Sequence, residues 1–201
     1  SEEIDLYLAN SEWTQRLYIQ DAPTLRGRCV IYPSGVDTDY WKPNFKNVKQ
    51  KKILLYLKGV EINLTQACQK FIWDHGYNTE IINYGEYTSD FYLSILQNVE
   101  AAVFFSRSES QGIALLEAWS VGVPTLVWNI GFIKLKDKIW SASSAPYLQP
   151  ETGRFFSSLI EFQEVFLDWE NNKESFLPRQ WVIDNMSDEV CTRIFCSYFN
   201  I

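Results

Sequence analysis

Ser106-Arg107-Ser108-Glu109-Ser110-Gln111-Gly112-Ile113-Ala114-Leu115-Leu116-Glu117-Ala118-Trp119 is the stretch on which the fold turns. Just before it, the apolar run Ala101 to Phe105 reads as a buried strand that ends in a polar turn. A helix then opens at Gln111 or Gly112, with Leu115, Leu116 and Trp119 on one face. Between Glu109 and Lys134 the only charge is Glu117. A carboxylate in so apolar a segment costs stability unless it is solvated or has a partner. The spacing from Glu109 to Glu117, if helical, rises about 12 Å. That is comparable to the span from the sugar to the ribose of a nucleoside diphosphate sugar. Between the carboxylates, Gly112 lets backbone come close, and the helix N-terminus offers free N–H groups to a diphosphate. Both carboxylates suit diols, Glu109 the sugar hydroxyls and Glu117 the ribose pair.

Working outward, strand and helix patterns alternate. Strands are expected over Ile53–Leu57, Glu80–Asn83, Ala101–Phe105 and Thr125–Trp128, with helices over Leu64–Trp73, Ser89–Gln97 and Gly112–Val121. Such a series with short connections predicts an α/β fold, a parallel sheet covered on both faces. Ligands of these sheets sit outside the carboxyl ends of the strands, and Glu109 lies just past one of them. Lys58-Gly59 follows another, where a lysine reaches diphosphate oxygens. Tyr84-Gly85-Glu86-Tyr87 follows a third, where Tyr84 or Tyr87 can stack on a base. Before this series come a short strand Ile4–Ala9, a helix Glu12–Ile19 capped by Ser11, and a strand Cys29–Tyr32. Pro33-Ser34-Gly35-Val36-Asp37 reads as a turn with a glycine at positive φ. After it, Phe156 to Trp169 reads as an amphipathic helix, and Ser187 caps a final helix to about Phe199.

The central stretch resembles the E-x7-E signature of retaining glycosyltransferases of the GT-B fold, the family 4 group above all. The match runs through Glu109-Ser110-Gln111-Gly112, then Leu116-Glu117-Ala118, then Gly122-Val123-Pro124. Pro33 to Asp37 is similar to the family's P-N-G-V-D junction, with Ser34 in place of asparagine. Where the family carries G-R-x4-K, this chain has Leu57-Lys58-Gly59. The resemblance implies a Rossmann-like, doubly wound parallel sheet, the C-terminal half of a GT-B glycosyltransferase. That domain is expected over residues 31–185, with 1–30 a remnant of the N-terminal half or an adapter to it and 186–201 a C-terminal helix.

It also implies retaining hexosyl transfer from a UDP or GDP sugar to an acceptor of unknown kind, with no metal or other cofactor required. Glu109 is the expected catalytic residue, orienting the sugar. The donor is expected to be bound by Lys58, Tyr84, Gly85, Ser110, Gln111, Gly112, Ile113 and Glu117. Backbone N–H groups near Gln111 and Gly112 hold the phosphates, Lys58 offsets leaving-group charge, and the loop at Tyr84-Gly85 meets the base. Thr152 and Gly153 are expected to border the donor. An N-terminal GT-B half, in the same chain or another, is the expected partner, and the final helix would cross to it through Phe195, Tyr198 and Phe199. Two further readings stand beside this one. One is a non-catalytic GT-B half that binds nucleotide or protein, and the other is a sugar-nucleotide 2-epimerase of the same fold.

Composition narrows the field. The chain has 201 residues, 46% hydrophobic and 21% charged, with a net charge of −7. That suits a globular core and argues against nucleic acid as a partner, which needs a clustered basic face. The tight basic run, Lys49, Lys51 and Lys52, reads as part of a solvated linker from Lys46 to Lys52. No segment reaches the roughly 20 apolar residues of a membrane span, and no signal peptide opens the chain. Its start at Ser1 without methionine is expected of a piece processed or cut from something longer. Cys29, Cys68, Cys191 and Cys196 read as reduced thiols in a cytoplasmic setting. His75, the single histidine, reads as an ordinary helix-end residue before Gly76.

Overall fold

The apolar runs that read as strands become neighbours in one parallel sheet. The structure, a computed structural model, describes residues 5–46, 49–59, 62–135 and 137–199. Its elements in chain order are β1 (Tyr7–Ala9), α1 (Glu12–Asp21), β2 (Cys29–Ile31), β3 (Lys52–Lys58), α2 (Ile62–Asp74), β4 (Asn78–Asn83), α3 (Ser89–Leu96) and β5 (Ala101–Ser106). There follow α4 (Ile113–Ser120), β6 (Thr125–Trp128), β7 (Phe132–Leu135), β8 (Lys138–Ser141), β9 (Gly153–Phe156), α5 (Leu159–Asn171), α6 (Pro178–Asn185) and α7 (Asp188–Phe199).

The main sheet has the order β4-β3-β5-β6-β9, and every neighbouring pair is parallel. Side chains of a strand alternate between faces, so each central strand feeds two cores. Leu54, Tyr56, Ala102, Phe104 and Val127 join Tyr92, Leu116, Trp119 and Val182 from α3, α4 and α6. Ile53, Leu55, Val103, Phe105 and Leu126 join Ile72 of α2 and Phe162, Phe166 and Trp169 of α5 on the other side. The sheet is thus doubly wound, as expected. Each fully buried aromatic of these cores contributes about 1.5–3 kcal/mol over an exposed one. From β3 the chain turns outward to β4 and then returns past β3 to β5. The strand order therefore reverses between β3 and β5, which opens a crevice at their carboxyl ends.

β1 and β2 form a separate two-stranded parallel sheet. The last helix does cross back to it: the Phe195 ring lies 5.2 Å from Tyr32 and the Tyr198 hydroxyl donates to Ile31 O at 2.6 Å. The surface these aromatics need is therefore largely present in this chain, and only Phe199 stays substantially exposed, at 45%.

Three local expectations are corrected and one element is added. Pro33 to Val36 forms no turn, and Gly35 is not at positive φ. Val36 bridges to Ser187, its N–H donating to Met186 O, and a Cβ on Gly35 would lie 2.5 Å from the Asp188 Cα. Glycine is needed there for close approach to α7. The amphipathic pattern from Phe156 begins too early, because Gly153–Phe156 pairs with β6 as an edge strand and Ser158 caps α5 by accepting from the Glu161 N–H. The hairpin β7–β8 carries no Asn-Gly or Asp-Gly turn and was not foreseen. The lysines of the expected linker are engaged: Lys49 donates to Gly122 O, Lys51 lies over the Tyr77 ring, and Lys52 opens β3 and pairs with Glu80. Residues 47 and 48 of that linker, and Ile4 of the first expected strand, lie outside the described residues.

His75 sits past the end of α2, with Nδ1 2.8 Å from Phe71 O. The four cysteines are free thiols, three of them buried. Among the described residues no helix is long and apolar enough to cross a membrane.

Candidate functional site

The register of β3 against β5 places Lys58 opposite Ser106 at the carboxyl ends of the two strands. From there the chain turns so that Glu109 comes back to both. Lys58 Nζ donates to Oε1 and Oε2 of Glu109 at 2.9 Å each, and the Ser106 hydroxyl donates to Oε1 at 2.7 Å. The ammonium also lies 4.2 Å from the centre of the Tyr84 ring, which follows β4. Three neighbouring strand ends thus contribute one cation, one anion and one aromatic face.

The loop carrying Glu109 is held from both sides. Its N–H donates to Ser143 O at 2.8 Å, and its carbonyl accepts from Trp13 Nε1 of α1 at 2.9 Å. Gln111 is buried, and its side-chain amide pairs with the backbone of Ser34 as a neighbouring strand would. Nε2 donates to Ser34 O at 2.6 Å, and Oε1 accepts from the Ser34 N–H at 2.9 Å and from Asn10 Nδ2 at 3.4 Å. The Asn10 carbonyl in turn accepts from the Tyr147 hydroxyl at 2.5 Å.

Gly112 then reverses the backbone at φ 83°, ψ 59° and stands as the N-cap of α4 without a side-chain oxygen. A Cβ there would be strained by the positive φ and would lie 2.9 Å from Leu115 Cδ1. The N–H groups of Gly112, Ile113 and Ala114 accordingly meet no acceptor among the described residues. Such a helix end favours an anion.

Glu117, one turn further along α4, contrasts with Glu109. Its side chain is half-buried, and its carboxylate has neither hydrogen bond nor ion pair among the described residues. Burial alone pushes its carboxyl up from 4.5 to about 7. Around it stand tyrosines: Tyr92 donates to Ala114 O at 2.9 Å, and the hydroxyls of Tyr56 and Tyr87 are 2.8 Å apart. Burial raises the Tyr87 and Tyr92 phenols, and the Glu117 charge adds to both effects.

Lys58, Tyr84, Glu109, residues 110–113 and Glu117 all line one cleft of about 430 Å³. The Gly85 turn, at φ 83°, lies outside that lining. Thr152 and Gly153 are also elsewhere, a correction with a simple cause. They stand at the amino end of β9, where Gly153 pairs with Thr125 at the start of β6, so they face the opposite end of the sheet from the cleft. Trp41, Tyr56 and Asn10 line the cleft without having been singled out. Trp41 and Tyr56 gave no local signal, since a buried aromatic and a rim aromatic look alike in sequence. Asn10 stands beside the capping Ser11 and was visible only as part of a strand–helix junction.

A doubly wound sheet with its cleft at the switch point is similar in fold to the C-terminal, Rossmann-like domain of GT-B glycosyltransferases. Residues 39–134, the segment that holds the cleft lining from Trp41 to Glu117, match the family model described as "Glycosyl transferases group 1". No curated protein matches the chain in sequence. Among solved structures, a glycosyltransferase from Rickettsia africae superposes with a TM-score of 0.70 at 13% identity, covering 97% of this chain and 62% of its own. TarM from S. aureus, in a complex that contains UDP, gives 0.67 at 14% identity, covering 100% of this chain and 45% of its own. Sucrose-phosphate synthase from Thermosynechococcus elongatus gives 0.65 at 13% identity, covering 96% and 57%. The chain thus spans less than two thirds of each of these proteins. At such identities the likeness is one of fold. The family model adds to that likeness of fold a match in sequence over residues 39–134.

Proposed function

We propose that this chain is the donor-binding half of a retaining glycosyltransferase, with a UDP or GDP hexose as donor and an acceptor of undefined class. The observation that carries the reading is one cleft that holds the Lys58 ammonium, the Glu109 and Glu117 carboxylates and, between those two in the chain, three N–H groups without an acceptor among the described residues. The diphosphate lies over the N-terminus of α4, where the Gly112, Ile113 and Ala114 N–H groups and the helix dipole meet it. The half-buried Glu117 accepts from the ribose hydroxyls, and Tyr84 flanks the base. Glu109 accepts from the sugar hydroxyls and fixes the ring. As the bond to the leaving phosphate opens, Lys58 offsets the charge that develops on it. These are positioning and electrostatic roles, and no metal ion is required by them. Transfer needs a second wall to hold the acceptor, supplied by an N-terminal half in the same or another chain. The four free thiols suit a cytoplasmic setting.

A second reading, a GT-B half that binds nucleotide without transferring sugar, is favoured by one feature. Lys58 is the only cation lining the cleft among the described residues. Calorimetry with UDP, GDP, ADP and their glucose esters tests binding, and mass spectrometry of product, with and without an added N-terminal half, tests transfer. Binding with no turnover under either condition would establish the second reading. Absence of binding to every nucleotide would remove both.

A further inference from the structure

The ion pair at the head of the cleft bears on which ligand the site prefers. A lysine ammonium has three donors, and here two are taken by the oxygens of Glu109 while the Tyr84 ring covers a further side. In the free protein the only cation lining the cleft among the described residues is thus neutralised before any anion arrives. Glu109 cannot readily swing away, because its N–H and carbonyl are tied to Ser143 and Trp13 and its carboxylate also accepts from Ser106. Lys58, on a flexible stem at a strand end before Gly59, is the partner that can turn.

We propose that Glu109, by holding Lys58, makes the cleft select the intact donor over the spent nucleoside diphosphate. This rests on the donor-site reading above. When the intact donor enters, its sugar hydroxyls donate to Glu109 and replace the hydrogen bonds that Lys58 gives up as it turns to the phosphates. A plain nucleoside diphosphate has no hydroxyl to offer there. Its terminal phosphate, no longer esterified, also ionises a second time near neutral pH. It must therefore take Lys58 from Glu109 uncompensated while placing extra negative charge beside a fixed carboxylate. Once the sugar has been transferred, Glu109 recaptures Lys58 and the remaining nucleotide loses its counter-charge, so product release is favoured over retention. Glu109 is thereby a specificity-determining residue as well as a sugar contact.

The test is calorimetry on the whole chain with three probes: inorganic pyrophosphate, the nucleoside diphosphate that binds best, and its glucose ester. Glu109→Gln should tighten pyrophosphate and the nucleoside diphosphate by about three- to tenfold and weaken the glucose ester, so that the preference inverts. In a Lys58→Met background the same change should give a distinctly smaller gain, since no held lysine remains to be released. Should the glutamine variant fail to fold, Glu109→Ser makes the same comparison. Unchanged or weaker binding of pyrophosphate and nucleoside diphosphate on loss of Glu109 overturns the inference, as does an equal gain with and without Lys58. Pyrophosphate carries neither base nor sugar, which separates the two levels. If its binding tightens through Lys58 while no nucleotide binds at all, the held lysine stands and the donor-site reading fails.

Discussion

The two ends of the cleft solve the problem of a carboxylate in an apolar wall in opposite ways. At one end, Glu109 is surrounded by donors: both oxygens accept from Lys58, one from Ser106, and its backbone is pinned at both atoms. At the other, Glu117 has no such partner among the described residues, and burial holds its carboxyl near 7 rather than 4.5. The first is satisfied in the free protein and must exchange partners when ligand enters. The second bears an uncompensated desolvation cost that a pair of ribose hydroxyls would relieve. An unrelieved cost of this kind is tolerated mainly where binding recovers it.

The largest effect expected from this difference is on affinity. Glu117→Ala should weaken nucleotide binding by about 1–3 kcal/mol, the range for a lost hydrogen bond to a charged group. The loss should depend on pH. The hydroxyls need the carboxylate form, so affinity for the intact donor, whose esterified phosphates do not titrate in this range, should rise about tenfold from pH 6 to pH 8. In Glu117→Ala that rise should vanish, whereas in Tyr84→Leu it should persist. A flat profile in the unaltered protein would break the contrast between the two carboxylates.

Next in size is folding stability. The folded-state pKa of Glu117 is raised above its unfolded value, so the folded chain holds the proton more tightly. The associated stabilisation is fully present below about pH 4.5 and is lost as pH rises through about 7. Glu117→Gln, which keeps the shape and removes the charge, should therefore be more stable than the parent at pH 8 by about 1–3 kcal/mol, allowing for the water that reaches the site. The advantage should shrink towards zero near pH 4.5. Urea denaturation at the two pH values measures it, and a pH-independent difference would mean that packing rather than charge distinguishes the variants.

A somewhat smaller effect concerns how the Glu109 end is kept rigid. Gln111→Ala leaves the N–H and carbonyl of Ser34 unpaired beside the loop and should cost about 1–2 kcal/mol of stability. Donor binding should fall with it, because Asn10, Ser34 and Trp13 reach the site through Gln111 and Glu109. Gln111→Glu should be worse than alanine, since a carboxylate cannot donate to Ser34 O and adds a charge beside the diphosphate. Stability lost without any change in donor affinity would show that the latch serves the fold alone.

How much of this was legible beforehand follows from what kind of signal each part carries. The buried strands of the sheet are continuous apolar runs, such as Ile53–Leu57 and Ala101–Phe105, and their positions could be read within a residue or two. Lys58, Glu109 and Glu117 were legible because parallel sheets put ligands at strand carboxyl ends and because charge is sparse from Glu109 to Lys134. The hairpin β7–β8 was not, for it lacks a glycine turn and six of its eight strand residues face solvent. Nor was the role of Gly35, whose need arises from Asp188, far along the chain. The same holds for Gln111: its backbone was expected at the phosphates, but its side chain spends both its donor and its acceptor on Ser34. Contacts between distant segments leave no periodicity to read.

The smallest expected effect, and the finest probe of the Glu109 end, is the ring beneath the lysine. The Lys58 ammonium lies 4.2 Å from the Tyr84 centroid, and Tyr84 itself is 58% exposed. A cation over a ring at so open a site contributes about 0.5–1 kcal/mol. Tyr84→Leu should therefore hardly change the melting temperature, because little apolar surface is buried there. Its effect on ligands should separate two uses of the ring. If Tyr84 only holds Lys58 against Glu109, its loss should free the lysine and tighten pyrophosphate and intact donor alike by about threefold or less. If it also stacks on the base, nucleotides should lose about 1–3 kcal/mol while pyrophosphate stays within that small factor. Tyr87 stands as the control, since its hydroxyl is tied to Tyr56 and it packs among the tyrosines around Glu117. Calorimetry on Tyr84→Leu and Tyr87→Phe with both ligands decides between the two uses. Equal nucleotide loss from both variants would place the base nearer Glu117 than the lysine, and would move the aromatic contact from one end of the cleft to the other.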